Sequence, residues 1–226
     1  MEKEHQSQTF MNKLDCKRYC HCFESEDANV RIHAVKVVAN LAAEEGTRMK
    51  TIRRIAAGAI ANLAMNESNQ ELIMAQGGIC LLAMTAADAE DPQTLRMVAG
   101  AIANLCGNDK LQTRLRSEGG IKALLGMVRC RHPDVLSQVA RGIANFAKCE
   151  SRASSQEVNA KDMISGGALW ELVRISRDCS REDIRALARR TLASSSTFQA
   201  EMRRLRIEQK GFRMPPAALR ELCHEM

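Results

Sequence analysis

The chain has 226 residues, of which 45% are hydrophobic but only 3% aromatic, and its formal net charge is +6. Small and aliphatic side chains must therefore build the core, which favours closely packed helices. The polar start, residues 1–10, does not resemble a signal peptide, and no run of about 18 apolar residues occurs, so we expect a cytoplasmic chain without a membrane span.

One short phrase recurs three times along the chain, at residues 55–63, 97–105 and 138–146. Each copy contains an asparagine before a final Leu or Phe, and these asparagines lie 42 and then 41 residues apart. This period is typical of stacked helical repeats of the armadillo or HEAT type. A single unit cannot bury its apolar face, so stacking creates one continuous core and one long surface for binding. The three asparagines are Asn62, Asn104 and Asn145.

A second repeated marker is a pair of glycines, at 77–78 and again at 119–120, also 42 residues apart. Glycine allows the positive φ that a tight corner between two helices needs. Pro92 and Pro133 suit the first turn of a helix. The plan is therefore two short helices joined by a glycine corner, a polar loop and a long third helix. For the unit at 68–108 these segments are 69–76, 79–86, 88–91 and 92 to about 106.

Three helices per unit predict the armadillo plan rather than the two-helix HEAT plan. We expect an all-α, right-handed α-solenoid of about four to five repeats. In its third helices the apolar residue pairs should face inward, because they recur at the same place in each copy of the phrase. These pairs are Ile60 with Leu63, Ile102 with Leu105, and Ile143 with Phe146.

The period fails at two junctions, near residues 44–50 and 149–157. Asn40, in a similar context, precedes Asn62 by only 22 residues, and Asn145 precedes the pair Gly166-Gly167 by 21 rather than 15. We interpret both junctions as sites where repeat material is missing or replaced. The first should be a continuous or kinked helix or be disordered, and the segment 149–156 should be a mobile loop.

The repeat pattern is not found at either end of the chain. The predicted organisation is a non-repeat tail at 1–23, an armadillo-repeat domain at 24–207 and a second non-repeat tail at 208–226. Nine cysteines are present, and most of them lie inside predicted helices, where they suit small core residues better than disulfides.

The repeated asparagines are the main candidate binding residues. Stacking should align them along one concave wall, where an amide both donates to and accepts from the backbone of an extended peptide. Basic residues four or eight positions earlier share their helical face and would favour an acidic segment. The alternative is that the asparagines cap helix ends and the basic residues are merely solvated. The predicted site comprises Asn40, Asn62, Asn104, Asn145, Lys36, Arg54, Arg96 and Arg141.

Two other kinds of site receive less support. Residues 172–213 hold eleven Lys or Arg against five Asp or Glu, a face that could meet acidic protein tails, although nucleic acid is an unexpected partner because no aromatic residues are interleaved for base stacking. The cluster Cys16, Cys20, His21 and Cys22 fits no common zinc spacing, and Cys223 lacks the aliphatic context of prenylation. We therefore expect no metal and no cofactor.

The sequence also resembles a known family. The segments 31–42, 52–66 and 166–173 resemble the C-terminal repeat domain of plant armadillo-repeat kinesins, and the resemblance extends over about residues 25–207. It implies a microtubule-linked, cytoskeleton-associated protein-binding scaffold, with NIMA-related kinases among the partners of the repeats. No Gly-x-x-x-x-Gly-Lys-Ser/Thr loop occurs, so the motor is absent from this chain, which we interpret as a truncated or alternatively joined form.

The alternatives come from different functional classes. A general armadillo adaptor in signalling or ubiquitin ligation would have the same fold, because fold does not determine function. Nuclear-import receptors carry a Trp four residues before the asparagine, where this chain has Gly58, Gly100 and Arg141, so import of basic cargo is disfavoured. We expect no enzyme and no small-molecule substrate, because the histidines are scattered and no catalytic motif is present.

Overall fold

A computed structural model describes residues 25–27, 29–30, 33–34, 47–150 and 163–205. Within those ranges the regular structure is entirely helical. Two short 3₁₀ turns, Asp109–Leu111 and Met127–Cys130, extend neighbouring α-helices. The α-helices are α1 (Thr47–Leu63), α2 (Glu67–Ala75), α3 (Gly78–Asp88), α4 (Pro92–Leu105), α5 (Gln112–Ser117), α6 (Gly120–Gly126), α7 (Pro133–Glu150), α8 (Ala168–Asp178), α9 (Glu182–Ser194) and α10 (Ser196–Arg204).

The helices repeat the predicted three-part plan. Helices α2, α3 and α4 form one complete unit, and α5, α6 and α7 form the next. The long third helices α1, α4, α7 and α9 pack side by side in chain order, and the second helices α3 and α6 also contact each other. The predicted all-α armadillo solenoid is therefore confirmed.

The long helices begin where the prolines and their preceding residues predict. Pro92 lies in the first turn of α4, and the N-cap carboxylate of Asp91 accepts a hydrogen bond of 2.8 Å from the backbone N–H of Thr94. Hydrogen bonding from Thr94 lowers the pKa of Asp91 below its ordinary value, because these bonds stabilise the charged carboxylate. Pro133 is likewise the first residue of α7.

Glycine makes the corner between the first and second helix of each unit. Gly77, Gly119 and Gly167 have φ values of +74°, +80° and +82°, in the left-handed region that only glycine adopts without strain. The third corner corrects the predicted register by one residue. Gly167, and not Gly166, corresponds to the first glycine of the earlier pairs, so Ala168 takes the place of the second glycine.

The core runs through the repeats without a break in the described part. The predicted inward pairs are confirmed: all six side chains are at most 9% exposed. Leu105, Phe146 and Phe198 are among the largest fully buried side chains. The six are Ile60, Leu63, Ile102, Leu105, Ile143 and Phe146.

Several predictions concern residues outside the described ranges. At the first junction α1 already begins at Thr47, and residues 44–46 are outside. At the second junction α7 continues through Glu150, two residues into the predicted loop, and the rest of that loop is outside. Both predicted tails, residues 1–23 and 208–226, also lie outside the described ranges, and so do the cysteine candidates within them.

In the described ranges, no group of three or more His, Cys, Asp or Glu side chains could hold a metal ion. No single helix of the described residues is long and apolar enough to cross a membrane; α2 and α3 pass that test only as a pair, bent by 78°.

Candidate functional site

The repeated asparagines lie on adjacent third helices, near the end of α1, α4 and α7. Asn62 is exposed, whereas Asn104 and Asn145 are half-buried. We call Asn62, Asn104 and Asn145 the asparagine row, and the surface of α1, α4, α7 and α9 that carries it the candidate groove. Two further predicted members, Asn40 and Lys36, lie outside the described residues.

Hydrogen bonds between helices fix the spacing of the asparagine row. The Nδ2 of Asn104 donates to the carbonyl oxygen of Ala61 over 2.9 Å, and the Nδ2 of Asn145 donates to that of Ala103, also over 2.9 Å. Each acceptor directly precedes the asparagine of the previous unit. Neighbouring members of the row therefore lie side by side.

These bonds use part of the hydrogen-bonding capacity of each amide. An asparagine side chain offers two N–H donors and one carbonyl acceptor. Among the described residues, the Oδ1 atoms of Asn104 and Asn145 have no hydrogen-bond partner. One donor and one acceptor per amide are thus open to a ligand, in the combination that pairs with a peptide backbone.

The basic residues of the predicted site divide into two types. Arg54 and Arg96 occupy equivalent positions, eight residues before their asparagines, and both are exposed. Arg141 is half-buried, and its Nη2 donates to the carbonyl oxygen of Gly100 over 3.3 Å. Burial lowers the pKa of its guanidinium, because a charged group loses hydration there.

A fourth position of the candidate groove escaped the sequence analysis. On α9 the buried residues Ile184, Ala188 and Leu192 repeat the buried pattern of Thr94, Val98 and Ile102 on α4. In this register Ser194 takes the position of the asparagine. The repeated phrase is no longer recognisable in the sequence of α9. The fourth position is identified by the pattern of buried residues, read with the period of the third helices.

The same register places Arg190 four residues before Ser194, in the position of Gly100 and Arg141. Arg190 is exposed. Within the described part of the chain it makes neither a hydrogen bond nor an ion pair. It therefore adds an unmatched positive charge to the candidate groove.

Most arginines of the predicted basic stretch are matched by carboxylates. Arg181 bonds to Asp134 over 2.9 Å, which ties the start of α9 to the first turn of α7. Glu182 accepts from both Arg185 and Arg189. Such exposed pairs contribute little stability, but they reduce the excess charge of this face. Further pairs are Arg174–Glu171, Arg177–Asp178 and Arg204–Glu201.

Solved structures with the same architecture define the class of fold. A designed armadillo repeat protein, YIII(Dq)4CqI, superposes with a TM-score of 0.59 at 18% identity, over 83% of this chain and 86% of its own. Another, solved in complex with the peptide (KR)4, gives a TM-score of 0.60 at 17% identity and 86% coverage of both chains. The chain is an armadillo-type α-solenoid.

Curated relatives are far more similar in sequence. Kinesin-like protein KIN-UB of Arabidopsis thaliana is 57% identical over 266 residues, which cover 88% of this chain and 29% of the relative. KIN-UB of Oryza sativa subsp. japonica is 62% identical, and KIN-UA of Arabidopsis thaliana 61%, each over 82% of this chain. No family model matches the sequence.

The chain is thus a relative of the plant armadillo-repeat kinesin-like proteins KIN-UA and KIN-UB, as its sequence predicted. It spans less than a third of the length of these relatives. The alignment with Arabidopsis KIN-UB is longer than this whole chain of 226 residues. That relative therefore carries residues, inside the aligned region, that this chain lacks.

Proposed function

We propose that this chain is a non-enzymatic scaffold that binds an extended, acidic segment of a partner protein along the candidate groove. The observation that carries the proposal is the shared register of Asn104 and Asn145. Each amide is held by a bond to the preceding helix and keeps a donor and an acceptor for a peptide backbone.

Charge supports an acidic partner rather than a basic one. Arg54 and Arg96 stand exposed on the same helical face as the row, and Arg190 extends the positive charge to α9. A basic surface attracts the carboxylates of a partner, which raises the rate and the specificity of association between the two proteins. A neighbour of the same fold was solved with the basic peptide (KR)4, and the basic residues here argue for the opposite preference.

The direct test of this function is titration of the full chain with an extended glutamate-rich peptide. Replacing Asn104 and Asn145 together with alanine should weaken binding, because two backbone-pairing amides are lost. A matched control is Lys122→Ala, an exposed change on α6, away from the third helices. An unchanged affinity in the doubly substituted chain, with its helical content intact, would refute the proposal.

Microtubules are the partner that the names of the relatives suggest, and the acidic tails of tubulin fit a basic groove. We propose a microtubule-linked role in the cytoplasm or at the cytoskeleton, with a NIMA-related kinase as a regulatory partner. Co-sedimentation of the full chain with assembled microtubules tests this part. Failure to co-sediment, together with binding to the glutamate-rich peptide, would identify a general adaptor that does not associate with microtubules.

A further inference from the structure

The bare backbone of Gly100, on α4, lies under two polar side chains of α7. A Cβ added to Gly100 would lie 3.6 Å from the Oε1 of Gln138 and 4.0 Å from the Nη2 of Arg141. Gly100 precedes Asn104 by four residues and shares its helical face. We call Gly100, Gln138 and Arg141 the polar cluster, which therefore lies beside the asparagine row.

Arg141 is a charged group that the described part of the chain does not neutralise. Its Nη2 donates to the carbonyl oxygen of Gly100 over 3.3 Å, and no carboxylate of the described residues pairs with it. Burial lowers the pKa of its guanidinium, but an arginine keeps its charge at neutral pH. This half-buried cation has lost hydration without gaining an ion pair. A carboxylate from a partner would supply that pair.

Both side chains of the polar cluster keep N–H groups for a ligand. The Nε of Arg141 is buried without an acceptor, whereas its Nη1 is not buried and has no partner among the described residues. The Oε1 of Gln138 is likewise buried and unpaired, and its Nε2 is accessible. Residues three positions apart on a helix lie on the same face. The two side chains thus offer neighbouring donors, the arrangement that the two oxygens of a carboxylate require.

The equivalent place one unit earlier has a different chemistry. There a Cβ added to Gly58 would lie 3.2 Å from the Sδ of Met97, which takes the position of Gln138. Gly100 itself takes the position of Arg141. The candidate groove therefore has a thioether between α1 and α4 but two sets of N–H donors between α4 and α7. This difference gives the groove one place that is built for a carboxylate.

We propose that the polar cluster binds one particular aspartate or glutamate side chain of the partner segment, through the guanidinium of Arg141 and the amide of Gln138, and so fixes the register of that segment along the asparagine row. This inference rests on the proposed function, to which the exposed Arg54 and Arg96 contribute general positive charge. The bond to Gly100 already orients the planar guanidinium, so little conformational entropy is lost when the carboxylate binds.

The test is isothermal titration of the full chain and three variants with a glutamate-rich peptide. Arg141→Lys keeps the charge but loses the planar set of donors, and should bind about tenfold more weakly. Gln138→Met introduces the side chain that α4 carries at the equivalent position, and should bind about threefold more weakly because one donor is lost. Arg96→Lys is the matched control: this arginine is exposed, so only its charge matters, and the variant should bind as the wild type does.

Salt separates this contact from the general charge of the groove. Raised salt screens exposed charges, but the deficit of Arg141→Lys should persist, because it arises from lost hydrogen bonds at a half-buried position. Wild-type affinity in Arg141→Lys or in Gln138→Met, or equal losses in Arg141→Lys and Arg96→Lys, would overturn the inference and leave the proposed function intact. Failure of the wild-type chain to bind the peptide would overturn both.

Discussion

The side-chain amide of Asn145 donates to the carbonyl oxygen of Ala103, on the neighbouring third helix, over 2.9 Å. Asn104 makes the same contact with Ala61, one unit earlier. These asparagines therefore have a structural role that is separate from ligand binding: they tie adjacent third helices together. The same bonds orient the amides, so the free donor and acceptor of each are held in place before a ligand arrives.

The structural role predicts different effects for two substitutions of Asn145. Asn145→Ala removes one half-buried hydrogen bond and should lower the free energy of unfolding by about 1 kcal/mol. Asn145→Asp should cost more, because it places a charged acceptor against the carbonyl oxygen of Ala103. Urea denaturation of both variants measures the difference. Equal stabilities of the alanine and aspartate variants would show that the contact is absent in solution.

The core register predicts a large effect at Leu105, which is 0% exposed. Leu105→Ala should lower the free energy of unfolding by about 2–5 kcal/mol, through lost burial and the cavity left behind. Met65→Ala is the control, because Met65 is 76% exposed and follows the end of α1. Thermal and urea unfolding should leave the control unchanged. A tolerated change at Leu105 would mean that the register of α4 is wrong.

Gly142 and Gly126 form a matched pair of positions that tests how closely the helices pack. At Gly142 an added Cβ would lie 2.6 Å from Cδ2 of Leu124, so Gly142→Ala should destabilise the chain by about 1–3 kcal/mol. Gly126 has a φ of −58° and no atom within 4 Å of such a Cβ. Gly126→Ala should therefore stabilise the chain by about 0.5–1 kcal/mol. Destabilisation by both changes alike would argue against the close approach of α7 to α6 and α4.

The cap of α4 predicts a dependence on pH. The pKa of Asp91 is lowered from its ordinary value of 3.8, so its stabilising effect is present above that value and is lost as the pH falls through the folded-state pKa. Asp91→Ala should cost about 1 kcal/mol at neutral pH.

Asp91→Asn is the control for that dependence, because asparagine caps helices equally well but does not titrate. Unfolding measured from neutral to acidic pH should show a stability difference between the wild type and Asp91→Asn that changes only at acidic pH. A difference that is constant over the whole range would exclude the titration of Asp91 as its cause.

Local patterns made most of the fold predictable from sequence. Pro92 and Gly77 determine where helices start and turn through their own backbone preferences, and Leu105 is buried because it recurs at the helical period. The corner at residues 166–167 was less certain, since two adjacent glycines can both adopt a positive φ. The packing around the start of α8 has room for the Cβ of Ala168, so Gly167 is the glycine with the positive φ at this corner.

The candidate site was less predictable because it depends on distances between helices. The sequence identifies Asn104 and Asn145 as equivalent, but it does not show that each bonds to the preceding helix. Arg190 and Ser194 were missed as members of the groove since α9 no longer carries the repeated phrase. Their position became clear only from which residues of α9 are buried.

The central claim, that the candidate groove binds an acidic extended segment, depends on charges beside the asparagine row. Arg96 is exposed on α4, eight residues before Asn104, and Arg129 is also exposed, on the 3₁₀ turn after α6, outside the row. Arg96→Glu and Arg129→Glu thus change the net charge by the same amount at different places. Both chains should fold, because both side chains are in solvent.

The most direct measurement is the affinity of the wild type and these two variants for a glutamate-rich peptide at low and at raised salt. Arg96→Glu should weaken binding about tenfold at low salt, and the deficit should shrink as salt screens the exposed charges. Arg129→Glu should bind as the wild type does. Equal losses in the two variants, or an affinity indifferent to both reversal and salt, would contradict the claim that the peptide lies in this groove.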